Sequence, residues 1–326
     1  MAFTKISEMI KMVKKNVGAI VTIPPYASFV KEIVRHPSVE GLRLNTVMPV
    51  NSKDTLEDVL KRLNDETSMF GKELWIDLKC RQLRVDGYFV PPFTEIKLSH
   101  NIKVNTPVKA YFSDGRETAT VVSIDGNKLI MLEGPKRVVG PGESVNIVDS
   151  SLSVEGYLTD KDKQYIDASL KAGVKNYMLS FVEYGTDIEG FRKYNAALLG
   201  NDVKVVAKIE SVKGMNYINK EWSKDSKVRL MAARGDLYVE LDKPHYITAA
   251  VENIVMKDEN AIVASRIFPS LSESLEPTCT DIGDVDNLLR MGYRTVMFGD
   301  DICMKRDSIV SGLNLLKAMS ERYAVK

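Results

Sequence analysis

The sequence is poor in cysteine and histidine, with three of each. The cysteines Cys80, Cys279 and Cys303 are widely separated, and none has a close Cys or His neighbour at zinc-ligand spacing. A zinc site is therefore not expected. An odd number of scattered cysteines favours a reduced compartment, and we expect a cytoplasmic protein.

An excess of either charge sign is also missing, because 45 Lys and Arg residues balance 44 Asp and Glu residues. No block rich in Lys and Arg is interleaved with aromatic residues, so no nucleic acid is expected as a partner. Residues 1–17 mix lysines with isolated hydrophobic residues and lack a continuous apolar core. We therefore expect neither a signal peptide nor a membrane span there, but a short amphipathic N-terminal helix.

What the sequence does contain is a regular alternation of strand-like and helix-like segments. Short apolar runs rich in β-branched residues lie at 18–23, 39–44, 74–78, 176–181, 203–209, 228–232, 261–267 and 295–298. Helical periodicity is found at 55–70, 160–172, 188–199, 246–256, 284–291 and 307–323. This order is typical of a parallel sheet with helical crossovers.

The fold class predicted from this order is α/β, a (β/α)8 TIM barrel. Eight strand candidates fit a closed barrel, and the glycine-rich phosphate loop of many open doubly wound sheets is missing after the first strand. Such a barrel takes about 250 residues, so a chain of 326 residues has room for an insert. We assign the barrel to residues 18–85 and 154–326.

Residues 86–153 break the alternation. Three segments alternate polar and apolar residues and are separated by turn sequences. The segments lie at 108–112, 118–124 and 128–132, and the turns at 114–115 (DG), 125–126 (DG) and 140–142 (GPG). The pattern predicts a small inserted β domain after the third strand.

Three motifs place charged side chains at predicted strand ends: 206–210 (VAKIE), 231–237 (MAARGDL), and 75–79 (WIDLK) followed by Arg84. Glu210 and Asp236 end consecutive strands, where a barrel brings side chains together over its mouth, and two carboxylates there can hold Mg²⁺ or Mn²⁺. Lys208 lies two residues before Glu210, hence on the same strand face. A lysine beside a metal ion can stabilise an enolate or a transferring phosphoryl group.

In order and spacing these motifs resemble pyruvate kinase. Flanking segments that support the likeness are 21–23 (VTI), 43–45 (RLN), 158–162 (LTDKD) and 277–278 (PT). The resemblance covers nearly all of the barrel, and it implies that residues 86–153 are the β lid domain that the family carries between its third strand and third helix. We expect no counterpart of the family's C-terminal regulatory domain, and therefore no effect of activators that bind that domain.

The resemblance implies a role for each site residue. The catalytic residues would be Lys208, Arg43, Arg84 on the transferring phosphate, and Ser265 in place of a threonine near the proton-transfer site. Glu210 and Asp236 would hold Mg²⁺ or Mn²⁺. Substrate-binding residues would be Ala233, Arg234, Gly235, Asn45 and Asp77, and Asp114 would be the lid aspartate.

Structural alternatives exist for several of these residues. They are helix capping for Glu210 and Asp236, an ordinary surface position for Arg43, a surface salt bridge for Arg84, a core position for Ser265 and a plain hairpin turn for Asp114. Lys208 is less open to such a reading, because an unpaired lysine inside an apolar strand is costly.

The sequence departs from the family at its monovalent-cation site. The family uses an asparagine, a serine, an aspartate and a threonine there; Asn45 and Asp77 are kept, but Val47 and Leu78 replace the two hydroxyl residues. An acidic family position is also occupied by Gln82. We therefore expect no requirement for K⁺.

The nucleotide side departs further. Met48 stands in place of a family histidine beside the nucleotide, and Glu143 lies where the lid would offer basic residues, so we expect it to repel a nucleotide. Glu183 replaces a basic family position. Tyr238 replaces the family's glycine after the ARGDL segment, and we expect its added bulk to narrow the substrate cleft.

Three functions follow as hypotheses. The first is a pyruvate kinase-like phosphotransferase that converts phosphoenolpyruvate and ADP to pyruvate and ATP through a metal-stabilised enolate. The alternatives are a metal-dependent lyase or decarboxylase acting on a pyruvate-like 2-oxo acid, and a non-catalytic relative. The expected partners are phosphoenolpyruvate or pyruvate, ADP or ATP, and a second copy of the chain in a homodimer, with no membrane.

Overall fold

The protein is described by a computed structural model that covers residues 16–51, 53–199 and 203–323. Most of the N-terminal helix expected over residues 1–17 lies outside the described residues. The strands, in chain order, are β1 (Gly18–Thr22), β2 (Val39–Asn45), β3 (Glu73–Leu78), β4 (Glu95–Lys97), β5 (Ile102–Lys103), β6 (Val108–Phe112), β7 (Glu117–Asp125), β8 (Lys128–Met131), β9 (Val145–Asn146), β10 (Ser153–Val154), β11 (Asn176–Leu179), β12 (Lys204–Ile209), β13 (Val228–Ala233), β14 (Ile262–Ala264) and β15 (Thr295–Phe298).

Eight parallel strands close into a barrel in the order β1-β15-β14-β13-β12-β11-β3-β2. The predicted (β/α)8 fold is thereby confirmed. Successive residues of a strand face opposite sides, and in β12 Val206 belongs to the cluster inside the barrel, whereas Val205, Ala207 and Ile209 pack outward on the helices. The barrel is thus filled by side chains, as is usual for this fold.

The helices are α1 (Val30–Arg35), α2 (Leu56–Ser68), α3 (Asp160–Lys171), α4 (Gly185–Leu199), α5 (Val212–Lys220), α6 (Arg234–Glu240), α7 (Ile247–Lys257), α8 (Cys279–Met291), α9 (Asp300–Cys303) and α10 (Arg306–Ser320). Side-chain caps define several of their starts. Thr159 and Thr278 each form a capping box with the aspartate three residues later, and the Ser211 hydroxyl accepts a hydrogen bond from the Gly214 amide. Because of the Thr278 cap, α8 begins five residues before the predicted helix at 284–291.

The seventh barrel strand is shorter than the predicted 261–267, because β14 ends at Ala264. Ser265, Arg266 and Phe268 have left-handed backbone angles, with φ of 69°, 57° and 51°. Residues other than glycine rarely adopt this region, and it cannot continue a strand. Ser265 therefore lies on the loop after the strand rather than at its end.

The segment between β3 and α3 forms a second hydrophobic cluster with a five-stranded antiparallel sheet, in the order β4-β8-β7-β6-β9. The chain that leads into this insert runs beside its last sheet strand, since Arg84 pairs with Ser144 and the Val145 amide donates to the Leu83 carbonyl at 3.0 Å. The short pair β5-β10 joins the start and end of the insert a second time. Both connections hold the sheet above the C-terminal ends of the barrel strands.

Candidate active site

A cleft of about 760 Å³ lies between the mouth of the barrel and the insert. The barrel contributes residues at the C-terminal ends of its strands, and the insert contributes Asp114, Arg116, Gly142 and Ser144. Three consecutive residues of the insert turn, Ser113, Asp114 and Gly115, have positive φ angles, which turns the Asp114 side chain toward the cleft.

Most of the site residues predicted from the sequence come together in this cleft. The residues that line it are Lys208, Arg43, Ser265, Arg84, Glu210, Asp236, Ala233, Gly235, Asn45 and Asp114. Arg234 and Asp77 do not line it. Asp77 lies beneath the cleft floor, and Arg234 points to the neighbouring loop.

Lys208 forms the centre of the floor. Its ammonium donates to the Ser180 hydroxyl at 2.8 Å and lies 3.3 Å from Asp77 Oδ1 and 3.2 Å from Glu210 Oε1. Burial alone lowers the pKa of a lysine, but Asp77 and Glu210 outweigh it and raise the pKa of Lys208. The floor therefore carries a permanent, buried positive charge.

Asp77 is fully buried and contacts three cationic side chains. Arg43 donates to it through both Nε and a terminal nitrogen, and Lys79 Nζ lies 3.0 Å away, with Lys208 on its other oxygen. Although burial by itself raises an aspartate pKa, Lys208, Lys79 and Arg43 hold the pKa of Asp77 well below its usual range. Asp77 therefore fixes the basic groups of the floor in place.

Glu210 and Asp236 form the candidate metal site. Burial, with the nearby Asp236, raises the pKa of Glu210 to about 6 against the opposing effect of Lys208. Two acids held near each other and away from water are stabilised by a divalent cation, so these donors fit Mg²⁺ or Mn²⁺. No group of three or more His, Cys, Asp or Glu side chains suited to a metal occurs in the described chain. Substrate and water oxygens would complete the coordination.

Arg43 and Asn45 meet a carboxylate that the sequence did not single out. Arg43 donates to Asp300 Oδ1 at 3.0 Å and to the Thr22 hydroxyl at 2.9 Å, and Asn45 Nδ2 donates to Asp300 Oδ2 at 2.7 Å. Asp300 follows the last barrel strand, which neighbours β1 across the closure of the barrel. Only the closed topology brings it to β2.

Arg84 is held by a chain of side chains at the edge of the cleft. It donates to Gln82 Oε1 and, at 2.8 Å, to the Gly142 carbonyl of the insert. Gln82 Nε2 in turn donates to Asp236 Oδ2 at 2.9 Å, and Asn146 Nδ2 donates to Asp236 Oδ1 at 3.1 Å. The uncharged Gln82 therefore links Arg84 and Asp236 by hydrogen bonds.

Arg234 fixes the loop after β14. Its guanidinium donates to the carbonyls of Ser265 at 2.8 Å and Arg266 at 3.0 Å, and pairs with Asp284. These bonds hold the left-handed residues of the loop, so that Ser265 faces the cleft. Gly235 lies beside the same loop, where a Cβ would make an ordinary van der Waals contact with Ser265 Oγ at 3.4 Å.

Two acids that were expected to disturb a nucleotide are turned away from the cleft. Glu143 accepts hydrogen bonds from Arg137 and from the Ser113 hydroxyl. Glu183 accepts from the Ser211 hydroxyl at 2.8 Å and lies 3.5 Å from Arg81. Neither of them lines the cleft, so the expected repulsion by Glu143 is not supported by the geometry.

Tyr238 and Met48 remain near the cleft. Met48 is among its lining residues, as expected from its place after β2. Tyr238 does not line the cleft, and instead the Arg266 guanidinium stacks over its ring at 4.6 Å. The bulk of Tyr238 therefore supports a cleft residue rather than narrowing the cleft.

Sequence reasoning missed several functional groups. Those that line or support the cleft are Lys79, Ser180, Asn146, Asp300, Arg116 and Arg266. Lys79 was inside a quoted motif, and its position two residues after Asp77 could have signalled the contact. The others depend on barrel closure or on the placement of the insert, which leave no local pattern.

A closed barrel whose mouth holds a buried lysine between acidic groups defines an α/β barrel protein with a charged cleft at the C-terminal ends of its strands. Residues 94–304 match the family model described as pyruvate kinase, barrel domain. The match covers more than half of the chain, and the protein belongs to the pyruvate kinase family. None of the described helices is long and apolar enough to cross a membrane.

Similar proteins that bear the name pyruvate kinase are found in distant organisms. The chain is 25% identical to that of Mycoplasma genitalium over 98% of its own length and 67% of the relative's. Identity is 24% to that of Borreliella burgdorferi, over 90% and 65%, and 26% to that of Thermoplasma acidophilum, over 93% and 57%. The chain thus spans about two thirds or less of the length of these relatives.

Proposed function

We propose that the protein transfers a phosphoryl group between phosphoenolpyruvate and ADP, giving pyruvate and ATP. The observation that supports this most strongly is the Lys208 ammonium, held charged at the cleft floor within 3.3 Å of Asp77, Glu210 and Ser180. In this reaction the bond between phosphorus and the enol oxygen breaks, a bond to a terminal ADP oxygen forms, and an enolate is left. A fixed positive charge beside that oxygen stabilises the charge as it develops.

Other residues of the chain would complete the reaction. Arg43 is anchored on Asp77 and Asp300 and would orient the anionic substrate, and Arg84 would contact the transferring phosphate from the insert side. The Ser265 hydroxyl faces the cleft from the opposite loop and would convey a proton to the enolate carbon, which yields pyruvate. Glu210 and Asp236 would hold a divalent cation, which supplies charge neutralisation of the phosphate and enolate oxygens.

We also infer that the reaction does not depend on K⁺. The positive charge of Lys79 lies 3.0 Å from Asp77 Oδ2, on the carboxylate that the family offers to the monovalent cation. Asp77 is already neutralised by side chains of the protein, so an added monovalent ion would gain little. This complements the absence of hydroxyl groups at Val47 and Leu78.

The test is pyruvate formation from phosphoenolpyruvate by the purified protein with Mg²⁺ or Mn²⁺, in the presence and absence of ADP. Formation that requires ADP and is accompanied by equimolar ATP supports the proposal. Absence of pyruvate under all metal conditions would contradict it. Parallel reactions with oxaloacetate identify a decarboxylase, which would release pyruvate without any nucleotide.

A further inference from the structure

The cleft is lined by six basic side chains, which differ in how they are used. They are Arg43, Lys79, Arg84, Arg116, Lys208 and Arg266. The first three and Lys208 each bind protein groups described above. Arg116 and Arg266 form no ion pair or side-chain hydrogen bond with any residue in the described ranges. Burial and the nearby Asp236 raise the pKa of Asp114, against the opposing charges of Arg84 and Arg116.

The two unpaired arginines lie at the rim of the cleft rather than at its floor. Both are exposed to solvent, whereas Arg43 and Lys208 are only 6% and 5% exposed. Arg116 comes from the insert and Arg266 from the loop after β14, so the pair spans the two sides of the cleft. An anion that contacts both would bridge the two sides of the cleft at its rim.

Arg266 is held in a defined position. Its guanidinium lies over the ring of Tyr238 at 4.6 Å, and its backbone carbonyl accepts from Arg234 at 3.0 Å. Stacking uses the face of a guanidinium and leaves the N–H groups at its edge free for an anion. The left-handed φ of 57° at Arg266 directs the side chain away from the course of β14. An arginine fixed without a carboxylate partner is suited to binding phosphate.

We propose that Arg116 and Arg266 bind the phosphate groups of the nucleoside diphosphate. This rests on the proposed function, and it assigns the nucleotide side of the cleft to these two arginines, since Met48 offers no charge to a phosphate. The buried floor already supplies Arg43 and Lys208 for the three-carbon substrate. The two rim arginines are therefore left for a second anion, which would bind farther from the cleft floor.

The experiment measures binding of ADP and of phosphoenolpyruvate separately by calorimetry, with Mg²⁺ present, so that turnover is not required. Arg266→Gln and Arg116→Gln should each weaken ADP binding about tenfold, because each loses a charge-assisted contact, and should change phosphoenolpyruvate binding less than about twofold. Tyr238→Leu should weaken ADP binding by a smaller factor and Tyr238→Phe should restore it. Arg35→Gln is the matched control, because Arg35 is exposed and stacks on Phe70 outside the cleft.

Three results would overturn the inference: no ADP binding by the wild type, unchanged ADP affinity in both arginine variants, or a loss confined to phosphoenolpyruvate. The last would place the arginines on the three-carbon substrate. If ADP binding depends on the arginines while no phosphoryl transfer is detected, the inference holds and the proposed function fails. If transfer occurs with an unchanged KM for ADP in both variants, the function holds and the inference fails.

Discussion

Replacing Lys208 by methionine removes the charge at the cleft floor while keeping most of the side-chain volume. Under the proposed function, turnover should fall at least about 10³-fold, which corresponds to about 4 kcal/mol of lost transition-state stabilisation. The ammonium also neutralises Asp77 and Glu210 at 3.3 and 3.2 Å. Its loss should therefore raise the pKa of Glu210 further above its present value of about 6.

The stability cost should be much smaller than the catalytic cost. Breaking a buried ion pair can cost about 3–5 kcal/mol, but Asp77 keeps Arg43 and Lys79 as partners after the substitution. We expect a loss of about 1–3 kcal/mol in the free energy of unfolding, measured by urea denaturation, with a native circular dichroism spectrum. The fold should therefore survive and the turnover should not.

The matched control is Lys204→Met on the same strand, since Lys204 is exposed and pairs with Glu73 at the surface. It should leave kcat and KM for phosphoenolpyruvate within about twofold, because exposed ion pairs contribute about 1 kcal/mol or less. A Lys208→Met protein that is folded and retains wild-type turnover would refute the placement of Lys208 beside the developing charge. The same result would refute the lyase alternative.

Three further predictions concern the surrounding charges. Glu210→Gln should weaken Mn²⁺ binding at least about tenfold in a titration followed by electron paramagnetic resonance, and equal affinity would remove Glu210 from the metal site. Wild-type turnover should be the same with and without K⁺. The turnover of Lys79→Ala should instead be stimulated by K⁺, because Asp77 then lacks one of its cationic partners. Stimulation of the wild type by K⁺ would contradict this prediction. Burial raises the pKa of Glu240 from 4.5 to about 8. The stability that the protonated side chain contributes is therefore full below about pH 4.5 and is lost as pH rises through about 8. At about 1.4 kcal/mol per pH unit this loss is at most about 5 kcal/mol in the free energy of unfolding, and Glu240→Gln should abolish it. Equal urea midpoints of the wild type and the variant at every pH would contradict this prediction.

The barrel could be predicted because its signal is local and repeated. Each strand carries its own apolar run, and each crossover helix its own periodicity, so the parallel arrangement follows from order alone. The short helices α1, α5, α6 and α9 were not predicted, since their lengths of six, nine, seven and four residues give a weak periodic signal. The end of β14 was also missed, because Ser265 and Arg266 are left-handed and their carbonyls are bound by Arg234, which is distant in sequence.

The site could be predicted where its residues lie on one strand or on consecutive strands. Lys208 and Glu210 share a strand face, and Asp236 follows the next strand, so their proximity follows from the pleat and the barrel order. The contact between Arg43 and Asp300 spans 257 positions and forms only when the barrel closes. The direction of Glu143 was likewise not predictable, because its partner Arg137 belongs to the same insert loop and could equally have faced the cleft.

The chain that leads into the insert is joined to residues 143–145 by backbone hydrogen bonds between Leu83 and Val145 and between Val85 and Glu143. The two ends of the segment 86–142 are therefore neighbours in space, as they are in segments that accept replacement as a whole. This segment is in this sense an exchangeable cassette, and a different lid could be joined at the same two positions without changing the course of any barrel strand.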